Sequence, residues 1–326
     1  MKKITALVMT LVLVFALAAC GEKPVEESDD SSAVGLKILK EADDNMINNY
    51  TLIAVNPDAP FVDADGNAVS DVEINTAGAE ALIDWLLSEE GAMLEADYGT
   101  EEYGEALFTL KDDAPTFDGV IDPATEETKT IRLSTTTSVN DSGLLAALLP
   151  AFEEEYGYTV EVQSAGTGKA IAAAQNGNAD LILVHAKDKE EEFVEGGFAK
   201  VLEGFDTERL TFMYNYFVLV GPSEDPAGIG EAEDVLAAFA AIADGKFTFI
   251  SRGDGSGTHT KELKLWPEEL GITEEAESFA DYADWYTSAN AGMGACLVMA
   301  NEQGGYILTD KATFLTFVNN NGQIEE

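Results

Sequence analysis

Basic residues, histidine and cysteine are all scarce in this 326-residue chain, and each scarcity excludes a class of function. Lysine and arginine number 18 against 61 acidic residues, and the formal charge of −43 argues strongly against nucleic acid as a partner. The two histidines and two cysteines are too few to build the Cys/His cluster of a zinc site. An apolar content of 46% fits a globular protein, and this length predicts a division into two lobes.

The longest apolar run lies at the N-terminus and predicts an export signal. It covers residues 4–19 after two lysines and ends in Leu-Ala-Ala-Cys-Gly at 17–21. This ending resembles a bacterial lipobox, which implies cleavage before Cys20 and attachment of lipid to its sulfur. We therefore expect a signal peptide over 1–19 and a lipidated cysteine with a flexible acidic tether over 20–35. An uncleaved membrane anchor is the alternative.

From residue 129 onward, the pattern alternates between strands and helices. Strands are predicted over 130–134, 158–162 and 180–184, with helices from 143 and over 170–176. Pro150 is expected to kink or end the first of these helices. A βαβαβ order indicates a parallel sheet whose ligand-binding turns lie at the carboxyl ends of its strands.

Outside this region the chain contains further apolar segments. We predict a strand over 50–55, a helix over 77–96, a long strand over 212–220 and an apolar strand over 295–299. Residues 111–128 are rich in Asp, Glu, Pro and Thr without periodicity, which indicates a linker.

The segment 251–258 carries the pattern R-x-D-x-S-G-T immediately before a predicted helix. Arg252 supplies a permanent forked cation, and Ser256 and Thr258 supply hydroxyl donors. The intervening glycines allow the backbone to approach a ligand closely. The alternative is a surface turn that caps a helix, with Arg252 paired to Asp254.

Two other turns, 135–138 and 164–168, share this design of a strand, small hydroxyl residues and a helix start. Neutral donors that converge from several directions suit a tetrahedral oxyanion that must also be released. Ser256 and His259 also have the spacing of a nucleophile and its base, although a histidine that caps the helix or faces solvent is favoured. Lys169 and Lys261 are interpreted as solvated surface charges. Arg209 is interpreted in the same way, with a position in the cleft as the alternative.

A series of motifs, in order from 135 to 314, resembles bacterial tungstate-binding proteins of ABC transporters. The matching segments are 135–138, 141–145, 149–152, 166–168, 178–186, 213–222, 225–229, 251–263, 292–294, 299–302 and 308–314. The resemblance implies an α/β fold, a two-lobed periplasmic-binding-protein-like (type II) receptor that clasps the anion between its lobes.

The resemblance also implies a site and a function. The donors would be Thr136, Thr137, Ser138 and Thr167 from one lobe, and Arg252, Ser256, Gly257 and Thr258 from the other. We expect a monomeric lipoprotein, anchored at the extracytoplasmic face of the cell membrane, that captures tungstate or also molybdate. It would deliver the anion to the permease subunits of an ABC transporter. No enzymatic activity, cofactor or bound metal, other than the oxyanion itself, is expected.

One feature departs from the family pattern. Three motifs that close the family's chain occur upstream here, at 53–57, 83–86 and 103–108, which leads us to infer a circular permutation. The expected division is lobe I at 51–110 plus 129–212, lobe II at 36–49 plus 223–317, a permutation linker at 111–128, and hinge strands at 50–55 and 213–222. The alternative is an unrelated small N-terminal domain.

Three other functions stay open at this point. A phosphate or sulfate receptor of the same fold would need the same donors. An anchored hydrolase of phosphate or sulfate esters is a more distant alternative, because histidines are scarce. A sensor that signals rather than transports has the same sequence pattern.

Overall fold

The computed structural model describes residues 34–63, 65–320 and 322. The predicted signal peptide, Cys20 and most of the predicted tether lie outside these residues. Within the described ranges, none of the helices combines the length and the apolar character needed to cross a bilayer.

The described residues form eleven strands and eleven α-helices. The strands are β1 (Leu36–Lys40), β2 (Ile47–Val55), β3 (Thr109–Leu110), β4 (Thr130–Thr136), β5 (Thr159–Ala165), β6 (Leu181–Val184), β7 (Ala199–Lys200), β8 (Leu210–Pro222), β9 (Phe249–Ser251), β10 (Tyr286–Ser288) and β11 (Ile307–Asp310). The helices are α1 (Thr76–Leu86), α2 (Glu89–Asp97), α3 (Thr100–Tyr103), α4 (Thr137–Asp141), α5 (Leu144–Tyr156), α6 (Thr167–Gln175), α7 (Lys187–Glu195), α8 (Val235–Gly245), α9 (Gly257–Leu263), α10 (Met293–Gln303) and α11 (Lys311–Asn319). Short 3₁₀ turns cover Asp44–Met46, Ile229–Glu231, Glu268–Leu270, Ala276–Ser278 and Ala280–Tyr282.

Nine strands join one mixed sheet in the order β1-β8-β2-β6-β4-β5, with β3, β7 and β11 attached at its sides. Strand β4 lies between β5 and β6 and is parallel to both, which confirms the predicted parallel βαβαβ unit. The carboxyl ends of these three strands therefore lie at the same edge of the sheet. Strands β9 and β10 form a separate parallel pair.

The two halves of the long strand β8 pair with different strands. Its first half pairs with β2 and β3, whereas its second half pairs with β1 and β11. The cores follow the same division. Trp85, Leu133 and Leu183 pack beside the first half, and Phe249 and Leu308 belong to a core beside the second half.

Two sequence predictions for helices are corrected by the structure. The single helix predicted over 77–96 is two helices, because α1 ends at Leu86 and the Ser88 side chain caps α2 by accepting from the amide of Gly91. Pro150 does not end α5, which continues to Tyr156. The carbonyl of Ala146, which would have accepted the missing N–H bond, belongs to an exposed residue that water can reach.

The apolar strand predicted over 295–299 is wrong, because these residues lie inside α10. A five-residue apolar run fits a buried helix as well as a buried strand, and only its continuation to Gln303 distinguishes the two. Gly304, which adopts a φ of 60°, ends this helix in the left-handed conformation.

The carboxylate of Asp180 joins β4, β6 and the start of α1. This buried group accepts hydrogen bonds from the backbone amides of Arg132 (2.7 Å) and Asn75 (2.9 Å), and it forms an ion pair with the Arg132 guanidinium at 2.5 Å. Asn75 in turn caps α1 through the amide of Gly78.

Asp180→Ala is expected to lower the free energy of unfolding by about 3–5 kcal/mol, because it leaves a partly buried guanidinium without its counterion and two backbone amides without this acceptor. Urea denaturation measures this loss. The control is Asp118→Ala at an exposed position, which should change stability by less than about 0.5 kcal/mol. Equal stabilities of the two variants would contradict the stabilising role assigned to the Asp180 carboxylate.

Glu262, on α9, is a carboxyl group buried in the core beside the second half of β8. One of its oxygens accepts hydrogen bonds from Trp266 Nε1 and the Tyr286 hydroxyl, both at 2.9 Å. Burial raises its pKa to about 7, because the ionised form is desolvated there. The group thus titrates near neutral pH although it is a carboxyl.

Glu262→Gln should remove a pH dependence of stability. The folded pKa of about 7 lies above the ordinary value of 4.5, so the folded protein retains a proton that the unfolded chain releases. This contribution is complete below the unfolded pKa and is lost as the pH rises through the folded pKa. The stability of the parent relative to the variant should therefore fall by about 3 kcal/mol across this window. Urea titrations at several pH values measure this fall. A stability difference between parent and variant that does not change with pH would refute the raised pKa of Glu262.

Candidate oxyanion-binding site

Three strand-to-helix turns build the candidate site. The turn from β4 to α4 carries Thr136, Thr137 and Ser138, and the turn from β5 to α6 carries Thr167. Because β4 and β5 are parallel neighbours, these two turns lie at the same edge of the sheet. The third turn, from β9 to α9, carries Arg252 and the hydroxyl residues that follow it.

The structure brings the three turns into contact although they are far apart in sequence. Arg252 Nη1 donates to Thr137 Oγ1 at 3.4 Å, which joins the third turn to the first. A Cβ placed on Gly166, just before Thr167, would lie 3.9 Å from Ser256 Cβ, so the third turn also lies close to the second. The sequence-predicted residues therefore surround one location.

Arg252 is the buried cation of this location. Its side chain is 3% exposed, and Nη2 forms an ion pair with Asp254 Oδ2 at 2.5 Å. Its Nε donates to the carbonyl oxygen of Ala291 at 3.3 Å. The pairing with Asp254 that the sequence offered as an alternative is therefore present, together with the contact to Thr137. The guanidinium is fixed in place and its charge is partly balanced.

The hydroxyl groups differ in how they are engaged. Thr136 Oγ1 and Ser138 Oγ are 3.0 Å apart and share a hydrogen bond. Ser256 Oγ accepts from the amide of His259 at 3.3 Å and caps α9. Thr167 Oγ1 is buried and has no hydrogen-bond partner among the described residues. A buried hydroxyl without a partner is costly, so Thr167 provides a donor suited to a bound group.

Gly257 and Thr258 begin α9 and are both buried. The ring of His259 does not pair with the Ser256 hydroxyl. Instead, His259 Nδ1 accepts from the amide of Gly255 at 3.1 Å. This arrangement matches the capping role that the sequence favoured over a nucleophile and base.

His185 borders the candidate site, and the sequence analysis did not place it there. It follows β6, and its Nε2 lies 3.0 Å from Ser138 Oγ. Burial and the nearby Arg252 lower its pKa to about 3, so the ring is neutral near neutral pH. A Cβ on Gly257 would lie 2.4 Å from His185 Cε1, so this glycine is required for the close approach. Its position at the carboxyl end of a parallel strand was the available signal.

A polar network lies beneath His185 and was also missed. The Tyr50 ring is 5.2 Å from the His185 ring, and its hydroxyl donates to Asn215 Oδ1 at 3.2 Å. Asn48 Nδ2 donates to the Tyr50 hydroxyl at 2.8 Å and to Asn215 Oδ1 at 3.0 Å. Strands β2 and β8 are thereby joined directly behind the turn that carries Ser138.

Two of the charges interpreted as solvated have specific partners. Arg209 Nε donates to Glu190 Oε2 at 3.1 Å, and this glutamate is buried. Lys261 is half-buried and donates to the carbonyl oxygen of Asn45 at 3.0 Å. Neither contact was predictable, because the partners are distant in sequence. Lys169 is exposed, in agreement with its predicted surface position.

The chain is similar to several known proteins. It is 45% identical over 194 residues to the tungstate-binding protein TupA of Peptoclostridium acidaminophilum. This alignment covers 59% of this chain and 63% of the relative. It is 36% identical over 180 residues to the TupA of Campylobacter jejuni. This alignment covers 55% of this chain and 61% of the relative. The chain thus spans 52–63% of the length of the curated relatives that it matches.

A solved structure is also similar, the tungstate ABC transporter from Geobacter sulfurreducens. The sequence identity is 43%, the alignment covers 58% of this chain and 75% of the other, and the TM-score is 0.48. The family model of the PBP superfamily domain matches residues 123–325, which is more than half of the chain. The protein therefore belongs to the PBP superfamily.

Proposed function

We propose that this protein is the solute-binding component of an ABC transporter and that it captures tungstate or molybdate. The observation that carries the proposal is the convergence of three hydroxyl-rich turns on Arg252, with its contact to Thr137 and the buried, unpartnered hydroxyl of Thr167. The similarity to relatives named as tungstate-binding proteins supports the choice of anion.

The chemistry of the donors suits a small dianion. Thr136, Thr137, Ser138 and Thr167 would donate from one side, and Arg252, Ser256, Gly257 and Thr258 from the other. One guanidinium, already balanced by Asp254, adds little net charge, and the neutral donors provide the remaining hydrogen bonds. Such a site binds an anion and still releases it to a permease. We expect this site to bind the anion rather than to catalyse a reaction, and we expect it to need no cofactor.

The proposed site lies between two lobes, each with its own core. Lobe I comprises 51–110 and 129–212, and lobe II comprises 36–49 and 223–317. The division of β8 between two sets of strands supports this arrangement, with hinges at 213–222 and 50–55. Movement about these strands would open and close the site.

The circular permutation is part of the proposal. Its support is the position of β2, which lies in the sheet between β6 and β8 and contains the first three residues of the upstream motif at 53–57. A separate N-terminal domain would not supply a central strand. The segment 111–128 would then be the new connection between the parent's ends.

The proposed location is the extracytoplasmic face of the membrane. The N-terminal signal and the lipobox-like ending support attachment through lipid on Cys20, and a monomer is expected. The permease would be the protein partner.

Calorimetric titration with tungstate, molybdate, phosphate and sulfate tests the function. We expect tungstate or molybdate to bind, and phosphate and sulfate to compete weakly. Strong competition by either of these would indicate the alternative receptor, and turnover of a chromogenic ester would indicate a hydrolase. No binding of any of the four anions would refute the proposal.

Arg252→Ala is expected to raise the dissociation constant for tungstate at least about 100-fold, because the bound dianion would lose a charged donor in a buried site. Calorimetry measures the change. Arg252→Lys keeps the charge but loses the forked geometry, so its affinity should be intermediate. Full affinity in the alanine variant would exclude Arg252 from the site.

Thr167→Val is expected to weaken tungstate binding about tenfold or more, because a hydroxyl that donates to a charged group contributes about 1.5–3 kcal/mol. The folded protein itself should lose no stability, since this hydroxyl has no partner there. The matched control is Thr130→Val, at an exposed position on β4. Equal affinities of the two variants would remove Thr167 from the site.

A further inference from the structure

A cavity of about 580 Å³ adjoins the proposed oxyanion site and is lined by an unusual share of the chain's cations. His185 and Gly257 line it and also belong to the site. Six of the 18 basic residues lie along its wall: Lys111, Lys187, Lys189, Arg209, Lys261 and Lys264. Five acidic residues also line it, so its formal charge is +1 in a chain of −43.

Four of these six cations are engaged in ion pairs. Lys111 pairs with Asp113 at 3.4 Å, Lys187 with Glu191 at 3.6 Å, Lys264 with Asp188 at 3.0 Å, and Arg209 with Glu190. Among the described residues, Lys189 and Lys261 form no ion pair. Each donates instead to a backbone carbonyl oxygen, and these two lysines therefore keep their charge available to an incoming anion.

Both lysines are next to the turns of the proposed site. Lys189 Nζ donates to the carbonyl oxygen of Gly255 at 3.1 Å, and it would lie 3.6 Å from a Cβ on Gly168. It thus contacts the third turn and approaches the second. Lys261 lies on α9, one helical turn after Gly257, and burial lowers its pKa. A partly desolvated ammonium is stabilised when an anion comes close.

The outer wall of the cavity is exposed. Lys187, Asp188 and Lys264 line it and are exposed, so that it opens to solvent, whereas its inner wall ends at His185 and Gly257. The cavity therefore connects the surface with the site.

An approach route lined by cations would offset the repulsion that an anion meets from the rest of the chain. A dianion that approaches a chain of charge −43 is repelled at long range. Salt screens this repulsion beyond about 8–10 Å, so the charges along the last part of the path control the encounter. Unpaired cations that line a cleft raise association rates by about 10-fold or more at low salt.

We propose that this cavity is the entrance through which the oxyanion reaches the site, and that Lys189 and Lys261 attract it during association. The inference rests on the proposed function and adds to it two residues that act on the rate of capture. They would contribute little to the bound complex, where Arg252 and the hydroxyls hold the anion.

The test measures association and dissociation rates of tungstate by stopped-flow tryptophan fluorescence, at about 20 mM and about 500 mM salt. In the Lys189→Gln/Lys261→Gln variant, the association rate should fall about tenfold at low salt and much less at high salt. The dissociation rate should stay within about twofold. Each single variant should show a smaller decrease of about threefold, and Lys189→Arg/Lys261→Arg should retain the original rate.

The matched control is Lys37→Gln/Lys129→Gln, which removes the same charge from exposed positions away from the cavity wall. Association rates that are equal in the two glutamine variants would overturn the inference, as would a loss of affinity that arises only from faster dissociation. If the unmodified protein binds none of the four oxyanions in calorimetry, the proposed function itself fails. Normal binding of tungstate with an association rate that the lysine substitutions leave unchanged would instead overturn only the inference about the two lysines.

Discussion

The burial of the Arg252 guanidinium is the constraint on which the candidate site depends. Removing a cation from water costs several kcal/mol unless each of its donors finds a partner. Here Asp254, the carbonyl of Ala291 and the Thr137 hydroxyl each accept from it. Asp254 also accepts from the amide of Ser256 at 3.1 Å, so the same carboxylate that balances the charge shapes the turn that begins α9.

The sheet explains why a turn distant in sequence can reach this cation. Parallel strands deliver their carboxyl ends to one edge, and β4, β5 and β6 bring Thr137, Thr167 and His185 there. Strand β8 connects this edge with the second set of strands, and Tyr50 and Asn215 hydrogen-bond across β2 and β8 beneath it. The site is therefore supported by regular structure rather than by loops alone.

Electrostatics act locally in this protein. The total charge of −43 would predict repulsion of any anion, yet the neutral His185 and the Arg252–Asp254 pair leave the site close to neutral. Hydroxyl and amide dipoles can then dominate over a few ångströms. The lysines near the cavity act over a longer distance, where the free charge of an unpaired ammonium matters more than hydrogen bonding.

The amino-acid sequence by itself determined the local chemistry, because strand periodicity, glycine and small hydroxyl residues act over a few positions. The three hydroxyl-rich turns followed from it. The helical state of 295–299 did not, since a short apolar run fits a helix or a strand. The break between α1 and α2, where Ser88 caps the second helix, did not follow from it either. Only the tertiary structure decided that His185 holds Ser138 and that Arg209 pairs with Glu190. The burial of a side chain and its hydrogen-bond partners depend on which distant segments of the chain come into contact. A local sequence pattern does not contain that information.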